Sequence, residues 1–171
     1  MIDTSIENIK KKINLTLDET EQLFDKIFNG EVNTNSLTSL LDALDKKGET
    51  LDELAGATTS MRKNSKSIDV NHNQVIDCCG TGGLGKKMIN VSTSVSFVLA
   101  AAGLKVAKHG NRTATGKSGS ADFLEAAGIN LNKSSEYFSD SLDKIGLGFL
   151  FAQNHHPGMK YVMEARKNLG K

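Results

Sequence analysis

Between Val75 and Ser120 the chain twice leaves a short apolar run and enters a turn crowded with glycines, hydroxyls and cations. The first passage reads V-I-D-C-C-G-T-G-G-L-G-K-K-M-I-N-V-S-T; the second, from Val106, reads V-A-K-H-G-N-R-T-A-T-G-K-S-G-S. Val75 and Ile76 read as the end of a short buried strand. Residues 80–85 read as a turn in which missing Cβ atoms let backbone N–H groups approach an anion. From Asn90 the sequence turns helical, with Ser92 and Thr93 ahead of Val95, Phe97, Val98 and Leu99. A helix N-terminus offers unpaired N–H donors and partial positive charge, and hydroxyls there bond phosphate oxygens or Mg2+. Strands alternating with helices make a parallel sheet, whose ligands gather at the carboxyl ends of the strands. Both glycine-rich turns are therefore expected on one edge of an α/β sheet.

Two general phosphate motifs come close and fail. Gly80, Gly82 and Gly85 match the G-x-G-x-x-G dinucleotide fingerprint, which needs an acidic residue about 20 positions later. No acidic residue lies between Asp77 and Asp122. Gly80 to Lys86 opens a P-loop pattern, but Lys87 stands where the Ser or Thr belongs, and Gly110 to Ser118 has one residue too many between its glycines.

The rest of the chain frames this stretch. A length of 171 residues suits one domain, or one and a small appendage. Residues 1–67 read as a helical module. A capping-box pattern runs from Thr16 to Glu19, and Leu23, Phe24, Ile27 and Phe28 follow at helical spacing until Asn29-Gly30. Leu37, Leu40, Leu41 and Leu44 mark a second helix ending near Gly48. Thr50 to Glu53 repeats the capping pattern ahead of a third, with Leu54 and Met61 on one side. Residues 62–73 are polar and read as a hinge, with His72 a solvated linker residue rather than a metal ligand.

Residues 104–107 read as a second strand, delivering Lys108, His109, Gly110 and Asn111 to its end. Lys108, after a buried strand, is placed as a phosphate contact, since a compact ammonium suits phosphate. Ser118 to Asp122 open another helix, an anion-friendly terminus with Phe123, Leu124 and Ala127 inward and Gly128 at its end. A helix over 137–145, a third buried strand over 148–151 and a loop over 153–157 follow. His155 and His156 are adjacent and do not easily share one ion. Pro157 reads as the first position of a final helix with Met159, Val162 and Met163 inside and Arg166 near its end.

A net charge of +1 gives no electrostatic reason to expect nucleic acid. No apolar run is long enough to span a bilayer, and no signal-peptide pattern opens the chain. The two cysteines, Cys78 and Cys79, are adjacent, so a mutual disulfide would be strained; a reducing cytoplasm fits.

Taken together, D-x-x-G-T-G-G, N-V-S-T, K-H-G-N-R and K-S-G-S-A-D, in this order and spacing, resemble anthranilate phosphoribosyltransferase, a family of tryptophan biosynthesis. The resemblance runs from about Asp77 to the last residue and suits the helical start. It implies a small N-terminal helical domain, residues 1–67, that pairs subunits in a homodimer. Residues 68–171 would be the N-terminal part of a truncated parallel-sheet α/β phosphoribosyltransferase domain of the nucleoside phosphorylase-like type. The implied reaction moves a phosphoribosyl group from phosphoribosyl pyrophosphate to the amine of anthranilate, releasing pyrophosphate with Mg2+. Carried over by motif, Gly80, Thr81, Gly82 and Gly83 hold the pyrophosphate. Asn90, Ser92 and Thr93 meet phosphate or Mg2+, with Ser92 as the metal ligand, and Lys108 and Ser120 face the phosphorylated sugar. Gly80, His109, Asn111 and Arg166 contact anthranilate. No covalent nucleophile is implied: donors aimed at the charge developing on pyrophosphate, with positioning of the amine, supply the rate.

The chain departs from the family at three places. The family aspartate after G-T-G-G is Leu84, and the proline after F-L-F-A is Gln153. The family continues for about as long again beyond Lys171, with further strands and an Asp-Glu pair for a second Mg2+. A sheet cut there is expected to leave an open strand edge and exposed apolar surface. Three alternatives stay open: a pyrimidine nucleoside phosphorylase, a non-catalytic nucleic-acid-binding relative of the same fold, and a chain that binds phosphate or pairs with another subunit without turnover.

Overall fold

A computed structural model describes residues 2–170, apart from 69, 71–73, 81–88 and 114–117. The chain divides into two compact units, Met1–Lys66 with His156–Lys171, and Ser67–His155.

The first unit is helical. Helix α1 (Ile2–Lys10) precedes the helices that spacing predicts, and buries Ile6 and Ile9. Its signal is the i, i+4, i+7 spacing of Ile2, Ile6 and Ile9. Helix α2 (Leu17–Phe28) starts at a closed capping box: the Glu19 N–H donates to Thr16 Oγ1 at 3.2 Å, and the Thr16 N–H to Glu19 Oε2 at 2.8 Å. Helix α3 (Thr34–Lys47) is capped by the Asn33 side chain and stops at Gly48, whose φ of 84° suits glycine. Helix α4 (Leu51–Lys63) repeats the capping box with Thr50 and Glu53. Leu23, Ile27, Leu37 and Leu40 form the centre of the core, joined by Val162 and Ala165 from the end of the chain. Each such large aliphatic side chain contributes about 1.5–3 kcal/mol on full burial.

That last stretch differs from its sequence reading. The loop expected over 153–157 is partly taken up by a short helix, α8 (Ala152–His155), and Pro157 opens a 3₁₀ turn (Pro157–Tyr161) before α9 (Met163–Asn168). The break between turn and helix rotates the inner face, so Val162 and Ala165 are buried while Met163 is exposed. Met159 keeps its inward position, packed against the core.

The second unit is a small parallel α/β layer. Strand β1 (Val106–Gly110) pairs in parallel with β2 (Leu147–Phe151), from Val106 opposite Leu147 to Gly110 opposite Phe151. On its other side β1 meets Ile76 through a parallel bridge: the Ile76 N–H donates to Lys105 O at 3.0 Å, and the Ala107 N–H to Ile76 O at 2.9 Å. The second strand thus begins at Val106 rather than Leu104, and Lys108, His109 and Gly110 lie inside the ladder. Their backbones are held by Phe149, Leu150 and Phe151 in register.

Helices α5 (Val91–Ala101), α6 (Ser120–Ala126) and α7 (Ser135–Ile145) complete the unit. Gly146, at φ 76°, ends α7, and Lys105 Nζ donates to the carbonyls of Leu142 and Asp143 at 2.9 and 2.8 Å, closing that helix's orphan acceptors. In α6 the buried positions are Ala121 and Leu124, whereas Phe123 and Ala127 are exposed or nearly so, against their inward assignment. A seven-residue helix offers one narrow inner stripe, and position 121 with 124 takes it.

The packing of the first unit is open to two tests. At Gly56 a Cβ would strike Leu17 O and lie 2.8 Å from Thr20 Cβ and 2.9 Å from Glu21 N, so α4 rides directly on the α2 backbone. Alanine in a helix interior is ordinarily worth about 1 kcal/mol over glycine. Here Gly56→Ala is expected to destabilise instead, by about 1–3 kcal/mol in denaturant titration, because the helices must separate. The second concerns Glu53, which takes Lys47 Nζ at 2.8 Å and the Leu15 N–H at 3.0 Å with both ionic side chains nearly solvent-free. Burial pushes its carboxyl up, but Lys47 and the Leu15 and Thr50 N–H groups outweigh this and hold it below the usual glutamate range. A lowered folded-state pKa gives stability that is present above the unfolded value and lost as pH falls through the folded one. Glu53→Gln should cost about 3 kcal/mol at neutral pH, and melting curves should show the variant losing less stability than wild type below about pH 4.3.

Candidate functional site

The carboxyl ends of the Ile76 segment, β1 and β2 come out on the same side because all three run parallel. They deliver residues 77–80, His109 to Asn111, and α8. The Asp77 carboxylate accepts the His109 N–H at 3.2 Å and ties the first turn to the second. Cys79 Sγ lies 3.8 Å from His109 Nδ1, and the His109 and His155 rings meet edge-on at 6.3 Å. Burial pushes the His109 imidazole below its ordinary value; the Asp77 carboxylate opposes that and the Lys108 ammonium adds to it. At neutral pH His109 is therefore an uncharged hydrogen-bonding ring.

Lys108 is 2% exposed, and its Nζ donates to the His109 carbonyl at 2.8 Å. Among the described residues no carboxylate pairs with it. Buried charges are ordinarily paired, since their desolvation is costly.

Helix α5 packs on β1 with an inverted pattern: Thr93 and Ser96 are its buried residues, while Val95, Phe97 and Val98 are exposed. Ser96 Oγ is satisfied by Thr93 O at 2.5 Å. Thr93 Oγ1 is buried with no partner among the described residues. Cys78 Sγ donates to the Ser92 carbonyl at 3.2 Å, and burial pushes that thiol up and keeps it protonated.

A second cluster gathers at Gly119. Asn90 Nδ2 donates to Ser118 Oγ at 3.2 Å and to Gly119 O at 3.4 Å. Ser120 Oγ donates to Asn111 O at 3.3 Å. Asp122, third residue of α6, reaches back to the Gly119 N–H at 2.7 Å and the Thr113 N–H at 3.0 Å. The Thr113 and Gly119 N–H groups, with Arg112 beside them, hold its carboxyl below the usual range. Arg112 makes a two-point contact with Glu125 at 2.5 and 2.7 Å and lies 5.5 Å from the Phe151 ring centroid.

Of the residues singled out from sequence, Gly80, Asn90, Ser92, Thr93, Lys108, His109, Asn111 and Ser120 fall in the second unit. Contacts join Ser92 to Cys78, His109 to Asp77 and Cys79, Asn90 to Gly119, and Ser120 to Asn111. Arg166 is half-buried on α9, in the first unit. Thr81, Gly82, Gly83 and Leu84 lie outside the described residues, as do Lys117 and His72. Asp77 and Asp122 escaped the set of site residues although both stand in the quoted motifs. Their role is carried by backbone bonds; for Asp122 the third position of a helix signals this, and for Asp77 nothing in the sequence does. Among the described residues no cluster of three His, Cys, Asp or Glu side chains could hold a metal.

Comparison with known proteins matches two stretches of the chain, the second of which includes residues 156–171 that pack with the first unit. Residues 4–65 match the glycosyl transferase family helical bundle domain, and residues 72–171 the glycosyl transferase family a/b domain. An anthranilate phosphoribosyltransferase from Pseudoalteromonas translucida (strain TAC 125) is 44% identical over 168 residues, 98% of this chain and 47% of the relative. One from Desulfatibacillum aliphaticivorans is 44% identical over 170 residues, covering 99% of this chain and 50% of its own length. The crystal structure of anthranilate phosphoribosyltransferase from Thermus thermophilus superposes with a TM-score of 0.89 at 36% identity, over 98% of this chain and 51% of that one. The Saccharomyces cerevisiae enzyme, solved in complex with PRPP and Mg, gives a TM-score of 0.85 at 26% identity, over 99% and 52%. The chain thus spans about half the length of the relatives it matches. With its helical and α/β parts both matched, it belongs to the glycosyl transferase family, and within that family it is similar to the anthranilate phosphoribosyltransferases.

Proposed function

We propose that the chain serves phosphoribosyl transfer to anthranilate in tryptophan biosynthesis, by supplying the cradle for phosphoribosyl pyrophosphate. The observation that carries this is Lys108, an ammonium buried in β1 with a single neutral carbonyl as its described partner. A buried cation so placed calls for an anion, and β1 packs against α5, the helix whose first turn carries Ser92 and Thr93. The identity to enzymes of that name supports the choice of substrate.

In the proposed reaction the anthranilate nitrogen bonds to the anomeric carbon as that carbon's bond to the pyrophosphate oxygen breaks. The electron pair leaves with pyrophosphate, and an amine proton passes to solvent. Gly80, Thr81, Gly82 and Gly83 are assigned to the pyrophosphate, Asn90, Ser92 and Thr93 to phosphate, and Lys108 and Ser120 to the phosphorylated sugar. Gly80, His109, Asn111 and Arg166 are assigned to anthranilate. An uncharged His109 suits a hydrogen bond to the acceptor rather than an ion pair.

The residues fit Mg2+ as well. Ser92 is the assigned ligand, and the Thr93 hydroxyl, buried without a described partner, lies in the same helical turn. Hydroxyl and phosphate oxygens are the hard donors this ion takes. When bound it would neutralise charge on the departing pyrophosphate. Residues 1–67 are assigned as the domain that pairs subunits in a homodimer, which the exposure of Leu51 and Leu54 on α4 supports. Residues 68–171 are assigned to the α/β domain, which the family match over 72–171 supports, although His156–Lys171 pack with the helical unit. Cytoplasmic residence is part of the same proposal; among the described residues no helix is long and apolar enough to cross a membrane.

Calorimetric titration with phosphoribosyl pyrophosphate, with and without Mg2+, tests the cradle. Binding that depends on Mg2+ is expected, together with at least about a hundredfold loss in Lys108→Met, the scale of a buried charged contact. A folded wild-type chain that takes up no ligand, or a Lys108→Met variant that binds as well as wild type, would overturn the proposal.

A further inference from the structure

We infer that Asp122 is a positioning residue for the phosphate cradle, clamping Thr113 to Gly119, beside which Asn90, Asn111 and Ser120 are bonded. The inference rests on the phosphoribosyl pyrophosphate reading above and deepens it.

One oxygen of Asp122 takes two backbone donors from different stretches of chain, the Gly119 N–H at 2.7 Å and the Thr113 N–H at 3.0 Å. Gly119 is packed too tightly for any side chain: a Cβ would strike Thr113 N and lie 2.6 Å from Asn111 O and 2.7 Å from the Arg112 carbonyl carbon. The proposed ligand residues are referenced to this point. Asn90 binds the Gly119 carbonyl and Ser118 Oγ, while Asn111 O receives the Ser120 hydroxyl and the Ala121 N–H, the latter at 3.2 Å. The Asn90 side chain, the Asn111 carbonyl and the Ser120 side chain are thus referenced to the backbone around Gly119 and Thr113. Arg112, a cation available in type to an anion, is already committed to Glu125 in two-point contact, with Asp122 Oδ1 at 3.4 Å.

Electrostatics argues against a carboxylate in such a place. Asp122 stands two residues from Ser120 and repels a phosphate there, and Arg112 is shared between two carboxylates. Its benefit is geometric: two charge-assisted bonds fix the separation of Thr113 and Gly119. Charge and clamp therefore predict opposite signs when Asp122 is neutralised.

The test is titration of phosphoribosyl pyrophosphate into wild type, Asp122→Asn and Asp122→Ala, with thermal melts and amide spectra of the same samples. The clamp requires at least about tenfold weaker binding in Asp122→Ala. Asp122→Asn, which keeps one acceptor oxygen, should recover part of that loss. The Gly119 and Thr113 amide protons should move upfield in Asp122→Ala while the rest of the spectrum stays in place. Equal or tighter binding in both variants beside a binding wild type would overturn the clamp and leave the cradle standing. A wild type that binds nothing would overturn the cradle and the clamp together. Should Asp122→Ala fail to fold, Asp122→Asn alone decides: weaker binding supports the clamp, and equal or tighter binding removes it.

Discussion

Strand β1 lies between two parallel neighbours, Ile76 on one side and β2 on the other, and the second unit depends on that pairing. Backbone N–H and C=O groups of a buried strand must find partners, and a parallel ladder satisfies them only if the strands point the same way. The consequence is spatial. Every strand end carrying chemistry emerges on one side, so residues far apart in sequence, such as Asp77 and Gly110, belong to one edge. The bond from His109 N–H to the Asp77 carboxylate is the local expression of this constraint.

Polar burial distinguishes the helix and strand behind this edge. A helix packed on a sheet normally turns its aliphatic side inward, yet α5 buries Thr93 and Ser96 and leaves Val95, Phe97 and Val98 outside. Lys108 is buried at the same time, with one neutral acceptor. Ser96 is compensated by the Thr93 carbonyl, whereas the Thr93 hydroxyl and the Lys108 ammonium are buried at a cost that their described partners do not offset in full. The other side of α5 leaves Val95, Phe97 and Val98 as exposed apolar surface.

Charge elsewhere is kept local. Lys47 and Glu53 close a nearly dry pair at the α4 start, where the carboxylate also serves the Thr50 and Leu15 N–H groups. Arg112 is absorbed by Glu125 and Asp122, and Lys105 caps α7. Lys108, by contrast, has the His109 carbonyl as its one described partner.

Sequence alone determined the helical start, its capping boxes at Thr16 and Thr50, the stop at Gly48, and the α/β class. Those features are local or carried by contiguous motifs: a cap is a local event within one turn, and a glycine-rich turn declares itself within a few residues. Tertiary structure decided the rest. The extension of β1 through Gly110 follows from its register with β2, which no property of residues 106–110 encodes. The outward turn of Phe123 and Met163 depends on which neighbours pack against their helices. The backbone duties of Asp77 and Asp122 depend on N–H groups brought there by folding. Side-chain type is written in the chain, but the partner that satisfies a buried polar group often lies tens of residues away, and only packing brings the two together.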